Sequence, residues 1–122
     1  MSVDISAFFD PNRGEAVKFD QIGDGVAGII IDVQLIDDQH NPGKQVLLVK
    51  ISTDDGATRD LYVRSAGQRD AIGQAVIDAE ATAIDVGGRL AITYVGDKVL
   101  RNGKTMKLYA AKYEVPQVEF GE

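Results

Sequence analysis

The apolar residues of this chain recur at every second position in several short stretches, and turn-forming residues separate the stretches. A period of two is typical of β-strands that bury one face. It predicts strands over residues 25–36, 45–53 and 58–64, a fourth strand that starts at Arg89, and a fifth that ends before Pro116. A chain with this pattern folds mainly into β-sheet.

Two of the separators are hairpin signals. Residues 54–56 (Asp-Asp-Gly) lie between the second and third strands, and residues 102–103 (Asn-Gly) lie between the fourth and fifth. Such pairs favour tight turns because Asn, Asp and Gly tolerate positive φ. We therefore expect residues 98–101 and 104–107 to pair as the two arms of a ribbon. Residues 96–97 (Gly-Asp) indicate a bulge or kink just before it.

The alternation also predicts which side chains face the core. In the first two strands these are Ile29, Ile31, Val33, Leu35, Leu47, Val49 and Ile51. The side chains expected on the outer face of the second and third strands are Leu48, Lys50, Tyr62 and Arg64. On the last strand, Tyr109 and Tyr113 share one face, and we expect both in the core.

The spacing of apolar residues changes after the third strand. Ile72, Val76 and Ala79 recur at helical spacing, which predicts a helix over residues 66–82. Ser65 is a good N-cap, and Gln68 three positions later completes a capping box.

Three strands, one helix and two strands follow one another in a chain of 122 residues, a length that suits one domain. This order predicts a five-stranded Greek-key OB-fold barrel with the helix between strands three and four. A β-sandwich and an SH3-like barrel with an added helix are the alternatives. The domain then comprises residues 19–115, after an N-terminal arm (1–18) and before a short acidic tail (116–122).

Charge is distributed unevenly along the chain. The net charge is −6, which does not by itself attract nucleic acid or anionic lipid. The segment from Lys98 to Tyr113 nevertheless contains five basic residues and no acidic one, which leaves −11 for the rest. The segment is either a cationic finger on an acidic body or a hairpin with ordinary solvated lysines.

The outer sheet face and the cationic segment together suggest a nucleic-acid site. A tyrosine ring can stack on any base, while Lys and Arg pair with phosphates. The candidate binding residues are Lys50, Tyr62, Arg64, Lys98, Arg101, Lys104 and Lys107. A half-buried Tyr62 covered by the N-terminal arm is the alternative interpretation.

Several chemistries are not expected. The chain has no cysteine and one histidine, which excludes thiolate and multi-histidine metal sites within one chain. No paired catalytic motif is present either, and the sequence predicts a protein that is not an enzyme. The aspartates around His40 and at 54–55 are better explained as solvated turns than as ligands of a divalent cation. Residues 23–28 match G-x-G-x-x-G, but they precede a strand where a dinucleotide site needs a helix. We expect no cofactor and no membrane span.

Longer segments resemble a known family. FDQIGDGVAGIIIDVQ, RDLYVRS, AIGQAVIDA, GGRLAITYVGD and KLYAAKYEVP are similar to small OB-fold single-stranded DNA-binding proteins encoded by actinobacterial bacteriophages. The resemblance covers about residues 18–116 and implies a role in phage DNA replication or recombination. It implies single-stranded DNA as the ligand, replication or recombination proteins as partners, and the cytoplasm of the host cell as the location. Self-association would also suit such a role. This chain departs from the family in having no tryptophan.

A different class of function is the main alternative. An OB-fold protein-interaction or structural module, such as a virion or replisome adaptor, would bind no nucleic acid. The net acidity, the aromatic content of 7% and the paired Phe8 and Phe9 of the arm favour it.

Overall fold

The computed structural model describes residues 15–38 and 41–117. Within these ranges the elements are β1 (Glu15–Ala16), β2 (Gly25–Asp37), β3 (Gln45–Thr53), β4 (Thr58–Val63), α1 (Ala66–Asp78), β5 (Arg89–Val99) and β6 (Thr105–Glu114). The five predicted strands and the helix are confirmed in their predicted order. The two-residue β1 is additional, and it falls in the segment that we predicted as an arm.

The strands form one curled, half-barrel sheet in the order β1-β4-β3-β2-β5-β6. β1 runs parallel to β4, and the other neighbours are antiparallel. β2 has a different neighbour along each half: Gly25–Ile29 pair with β5, and from Gly28 onward it pairs with β3. One strand therefore belongs to both halves of the sheet, which makes the sheet curl.

Two glycines of β2 allow this close pairing. A Cβ on Gly25 would lie 2.3 Å from the carbonyl oxygen of Ile92, and one on Gly28 would lie 2.1 Å from that of Ser52. No side chain fits at those distances, so the two glycines are required for contact between strands. Because these glycines lie inside a strand, the G-x-G-x-x-G match has no helix after it that could bind a dinucleotide phosphate.

Both predicted hairpins form, with loops of three residues. The backbone N–H of Thr53 donates to Ala57, that of Leu100 donates to Lys104, and the third loop residue of each, Gly56 or Gly103, has positive φ. This is a type I turn followed by a left-handed glycine. The expected pairing of 98–101 with 104–107 is thus shifted by one residue, and Arg101 lies in the turn instead of in an arm.

The core lies on the inner face of the curl. Its fully buried side chains are Ile30, Val49, Ile51, Leu61, Leu90 and Ile92. The predicted inner face of β3 is confirmed, with Leu47 partly buried beside Val49 and Ile51. Tyr113 is buried and Tyr109 is packed against the core, as predicted. Leu48, on the opposite face of β3, is also buried.

The predicted inner face of β2 is partly wrong. Ile29 and Leu35 are 40% and 66% exposed, whereas Ile30 is fully buried. A bulge between Ile30 and Asp32 reverses the alternation, so that Val33 packs against the core after the bulge. When a strict alternation is continued through a bulge, the residues on one side of the bulge are assigned to the wrong face of the sheet.

The helix begins at the predicted capping box and ends earlier than predicted. Gln68 donates its backbone N–H to the Ser65 hydroxyl at 3.1 Å, and its side chain accepts from the Ser65 N–H at 3.2 Å. Glu80 adopts a left-handed φ of 56°, and Ala81 N–H donates to the Val76 carbonyl. This Schellman arrangement ends α1 at Asp78, short of residue 82.

Two elements span the gap between β4 and β6. On one side, the N–H of Val17 donates to Asp60 of β4, while the ring of Phe19 meets Tyr109 of β6 edge to face at 5.1 Å. On the other side, α1 follows β4 and packs on β6, where a Cβ on Gly67 would lie 3.0 Å from a β6 carbonyl oxygen. Side chains and the helix therefore bring together two strands that share no ladder in the described residues.

Candidate functional site

The cationic hairpin, residues 98–107, projects from the body beyond the point where β5 leaves β2. The last β5 residue in the ladder with β2 is Thr93, opposite Gly25. A bulge between Tyr94 and Gly96 follows, close to the predicted position. The side chains of Lys98, Arg101 and Lys104 are exposed on this hairpin. Lys107 is exposed as well, so all four predicted cations of the hairpin lie at the surface.

The bulge decides which face each hairpin residue occupies. Tyr94 lies opposite Tyr109 on the inner face, but the register shift places Lys98 opposite Met106 on the outer face. Leu100 and Lys104, which are joined by a backbone hydrogen bond across the end of the hairpin, lie on that same outer face. Directly opposed residues share a face in an antiparallel pair. Lys98 and Lys104 therefore lie on the outer face of the sheet.

Lys107 lies on the inner face and differs from the other cations. It is opposite Asp97, and its ammonium group donates a hydrogen bond to the carbonyl oxygen of Phe19. The same Nζ lies 5.0 Å from the centroid of the Tyr94 ring. The charge of Lys107 is thus directed at the body of the protein.

The base of the hairpin is tied together by Tyr94 and Asp97. The Tyr94 hydroxyl donates to the Asp97 carboxylate. This hydrogen bond, with smaller contributions from desolvation and from the negative charge of Asp97, raises the pKa of Tyr94 to about 12. The Tyr94 ring is buried and lies 6.0 Å from the ring of Tyr109.

The second group of predicted residues lies at the end of β4. The guanidinium carbon of Arg64 is 5.2 Å from the centroid of the Tyr62 ring, a cation–π contact. Tyr62 is half-buried, and its partner across the ladder is Leu48. The N–H of Arg64 donates to the Gln68 side chain at 2.9 Å, so the capping box also holds this end of β4. The alternative interpretation places Tyr62 beneath the N-terminal arm (residues 1–18), of which residues 1–14 lie outside the described ranges.

Lys50 lies on the same face and is paired with acids. Its Nζ is 3.4 Å from an Asp60 carboxylate oxygen, and the two side chains are 15% and 8% exposed. Asp32 lies opposite Lys50 on β2, so a lysine stands between two aspartates in a row across three strands. This row offers no net positive charge to a phosphate.

The hairpin cations and the Tyr62–Arg64 pair share a face but lie level with different ends of β2. Tyr62 pairs with Leu48 of β3, and Leu48 pairs with Gln34 in the second half of β2. The hairpin lies at the other end of β2, where Gly25 pairs with Thr93 of β5. A straight strand would separate these levels by roughly 30 Å, and curling shortens that distance. A single ligand that touches both groups must therefore be extended.

The acidic loops are occupied by internal contacts. Asp54 binds the Arg89 guanidinium through both oxygens, at 2.8 and 3.1 Å, and this lowers the pKa of Asp54. Asp55 accepts from the Thr53 hydroxyl and from the N–H of Ala57. Within residues 15–38 and 41–117, no group of three or more acidic or histidine side chains is arranged to hold a metal ion. His40 lies outside these ranges, as do Phe8 and Phe9.

Sequence reasoning missed an apolar groove of about 520 Å³ between α1 and the sheet. Leu47, Val63, Ile72, Val76 and Ile84 line it. The exposed Ile77 on α1 was the available signal, because it lies outside the apolar stripe that we used to predict the helix.

In the described part of the chain, no helix has the length and apolar character needed to cross a membrane. Comparison with protein-family models, curated proteins and solved structures finds no match.

Proposed function

We propose that this protein binds single-stranded DNA without sequence specificity, on the outer face of an OB-fold barrel. One observation carries the proposal: the bulge in β5 and the uninterrupted alternation of β6 place Lys98 and Lys104 on the same outer face as Tyr62 and Arg64. This arrangement combines exposed cations with an aromatic ring on one continuous surface.

The strand pairings support the OB-fold part of the proposal. Three antiparallel strands, β2 to β4, are followed by a helix and by the β5–β6 hairpin, and β2 pairs with both β3 and β5. An OB-fold is a partly open Greek-key barrel with this order, and its second and third strands form the ligand platform. Here those strands are β3 and β4, and Tyr62 and Arg64 lie on β4 and directly after it.

The chemistry of the two groups fits a flexible polyanion. Lys98, Arg101 and Lys104 would pair with successive phosphates, and Tyr62 would stack on a base. Neither contact reads a base edge, so binding would not depend on sequence. In the biological setting that the resemblance implies, such a protein would coat DNA during phage replication or recombination in the host cytoplasm.

A salt titration with fluorescent oligo-dT tests the proposal. The wild-type protein should bind at low salt and lose affinity steeply as salt rises, because phosphate contacts release counterions. Changing Lys98, Arg101 and Lys104 together to Gln should lower the slope of log K against log salt by about 2, at roughly 0.7 per contact for single strands. The absence of binding at low salt, or a flat response, contradicts the proposal.

A matched variant controls for net charge. Lys18, Arg69 and Lys112 are also exposed cations, and changing all three to Gln removes the same charge from outside the hairpin. The slope of log K against log salt should stay close to the wild-type value in this variant. If both triple variants bind DNA as the wild type does, the protein-interaction alternative is favoured.

A further inference from the structure

The cationic hairpin is held to the body at its base. The backbone of Tyr94 still exchanges hydrogen bonds with Asp24 and Gly23, and the bulge bends β5 directly after this residue. A two-stranded ribbon is only marginally stable in water. Contacts at the base must therefore set the direction in which the hairpin projects.

Lys107 connects the two strands of the hairpin to a third segment. Its ammonium group binds the Phe19 carbonyl and lies against the Tyr94 ring, and Phe19 itself is buried against Tyr109. Phe19 is 88 positions away in sequence. One side chain of β6 thereby joins the hairpin to the segment that enters β2.

Asp97 closes the cluster from the other strand. It lies opposite Lys107 and accepts a hydrogen bond from the Tyr94 hydroxyl. The Lys107 ammonium group lies over the ring of that same tyrosine. The two charged residues are on the inner face, whereas Lys98 and Lys104 are on the outer face. The charges of the hairpin thus separate into an inner-face pair, whose lysine ammonium is bound to the body although both residues remain exposed, and cations on the outer face that make no such contact in the described residues.

From this geometry we infer that Lys107 is a positioning residue: with Asp97 and Tyr94 it fixes the direction of the hairpin, and it makes no phosphate contact. The DNA part of this inference rests on the proposed function, whereas the structural part does not. A hairpin held in one direction loses less conformational freedom when it binds, so the outer cations bind more tightly.

Two variants of the same hairpin separate the roles. Lys107→Met and Lys104→Met each remove one positive charge from the hairpin and keep a side chain of similar length. Lys107→Met should lower the NMR backbone order parameters of residues 98–106 from about 0.85 toward about 0.6, and Lys104→Met should leave them at the wild-type values. Unchanged order parameters in Lys107→Met overturn the inference.

The salt dependence of oligo-dT binding gives the second readout. Lys107→Met should weaken binding by about three- to tenfold at every salt concentration, with an unchanged slope. Lys104→Met should lower the slope by about 0.7. A fall in slope for Lys107→Met equal to that of Lys104→Met identifies Lys107 as a phosphate contact and overturns the inference.

Tyr94→Phe provides a variant that keeps the charge and nearly all of the core packing. Loss of the hydrogen bond to Asp97 should lower the order parameters of residues 98–106, as Lys107→Met does. Order parameters equal to the wild-type values in both variants refute the positioning role. If the wild-type protein binds no DNA, the proposed function fails. The order parameters still decide whether these residues fix the hairpin.

Discussion

The Arg64 guanidinium lies over the Tyr62 ring, with 5.2 Å between its central carbon and the ring centroid. The contact holds the arginine beside the aromatic ring at the end of β4, next to the start of α1. A base that stacks on Tyr62 would displace the guanidinium or use the other face of the ring, and in both cases its phosphate would lie near the Arg64 cation. This pair therefore makes Tyr62 the most informative position for testing the sheet face.

Replacing Tyr62 with Ala should weaken oligo-dT binding by about 1–3 kcal/mol, because one stacking surface is lost. Tyr62→Phe retains the ring and should bind within about twofold of the wild type. Fluorescence anisotropy at low salt measures both. Equal affinities for the Ala variant and the wild type would show that no base stacks at this position.

The bulge in β2 gives a prediction about stability. Ile30 is fully buried and its neighbour Ile29 is 40% exposed. Ile30→Ala should lower the free energy of unfolding by about 2–5 kcal/mol, and Ile29→Ala should lower it by much less. Urea denaturation of the two variants measures the difference. The opposite ranking would support the uninterrupted alternation that the sequence suggests.

The end of α1 gives a stabilising substitution. Glu80 has a φ of 56°, which is unfavourable for any residue with a Cβ. Glu80→Gly should raise the free energy of unfolding by about 1 kcal/mol, because glycine adopts this conformation without the steric penalty. Glu80→Ala keeps the Cβ and should be close to the wild type. Thermal unfolding compares the three proteins, and equal midpoints for Gly and Ala would contradict a strained helix end.

The Tyr94–Asp97 hydrogen bond gives a pH dependence. Its effect raises the pKa of Tyr94 from 10.0 to about 12, so the folded state favours the protonated phenol. The resulting stabilisation is complete below pH 10 and is lost as pH rises through about 12. Asp97→Asn removes the charged acceptor and should bring this titration back toward 10.0.

Ultraviolet absorbance of tyrosinate follows that titration, and denaturation midpoints between pH 9 and about 12 follow the stability. The wild type should lose more stability over this range than Asp97→Asn. Identical titration curves for the two proteins would show that Asp97 does not control Tyr94.

Local signals in the sequence were sufficient for most of the architecture. The capping box of Ser65 and Gln68 places the start of α1, and the glycines at 56 and 103 place two hairpins. Each signal depends only on residues a few positions apart, which is why these elements could be predicted. The end of α1 could not, because Glu80 occupies a position that usually takes glycine.

The candidate site was predictable in composition but not in geometry. The sequence identifies the cations, but Lys50 meets Asp60 and Lys107 meets Phe19 only after the strands have paired. The face of each β5 residue in the hairpin depends on the bulge between Tyr94 and Gly96, whose position the sequence gives only approximately. Which lysines remain available to a ligand is therefore a property of the folded sheet.

The gap between β4 and β6 is filled by Phe19, Tyr109 and the helix, and no backbone ladder crosses it in the described residues. A seam of this kind can change its width by moving side chains, without exchanging any backbone hydrogen bond between strands. Substitutions along the seam would therefore change the diameter of the curled sheet and the width of its outer face, while the register of every strand pair stays the same.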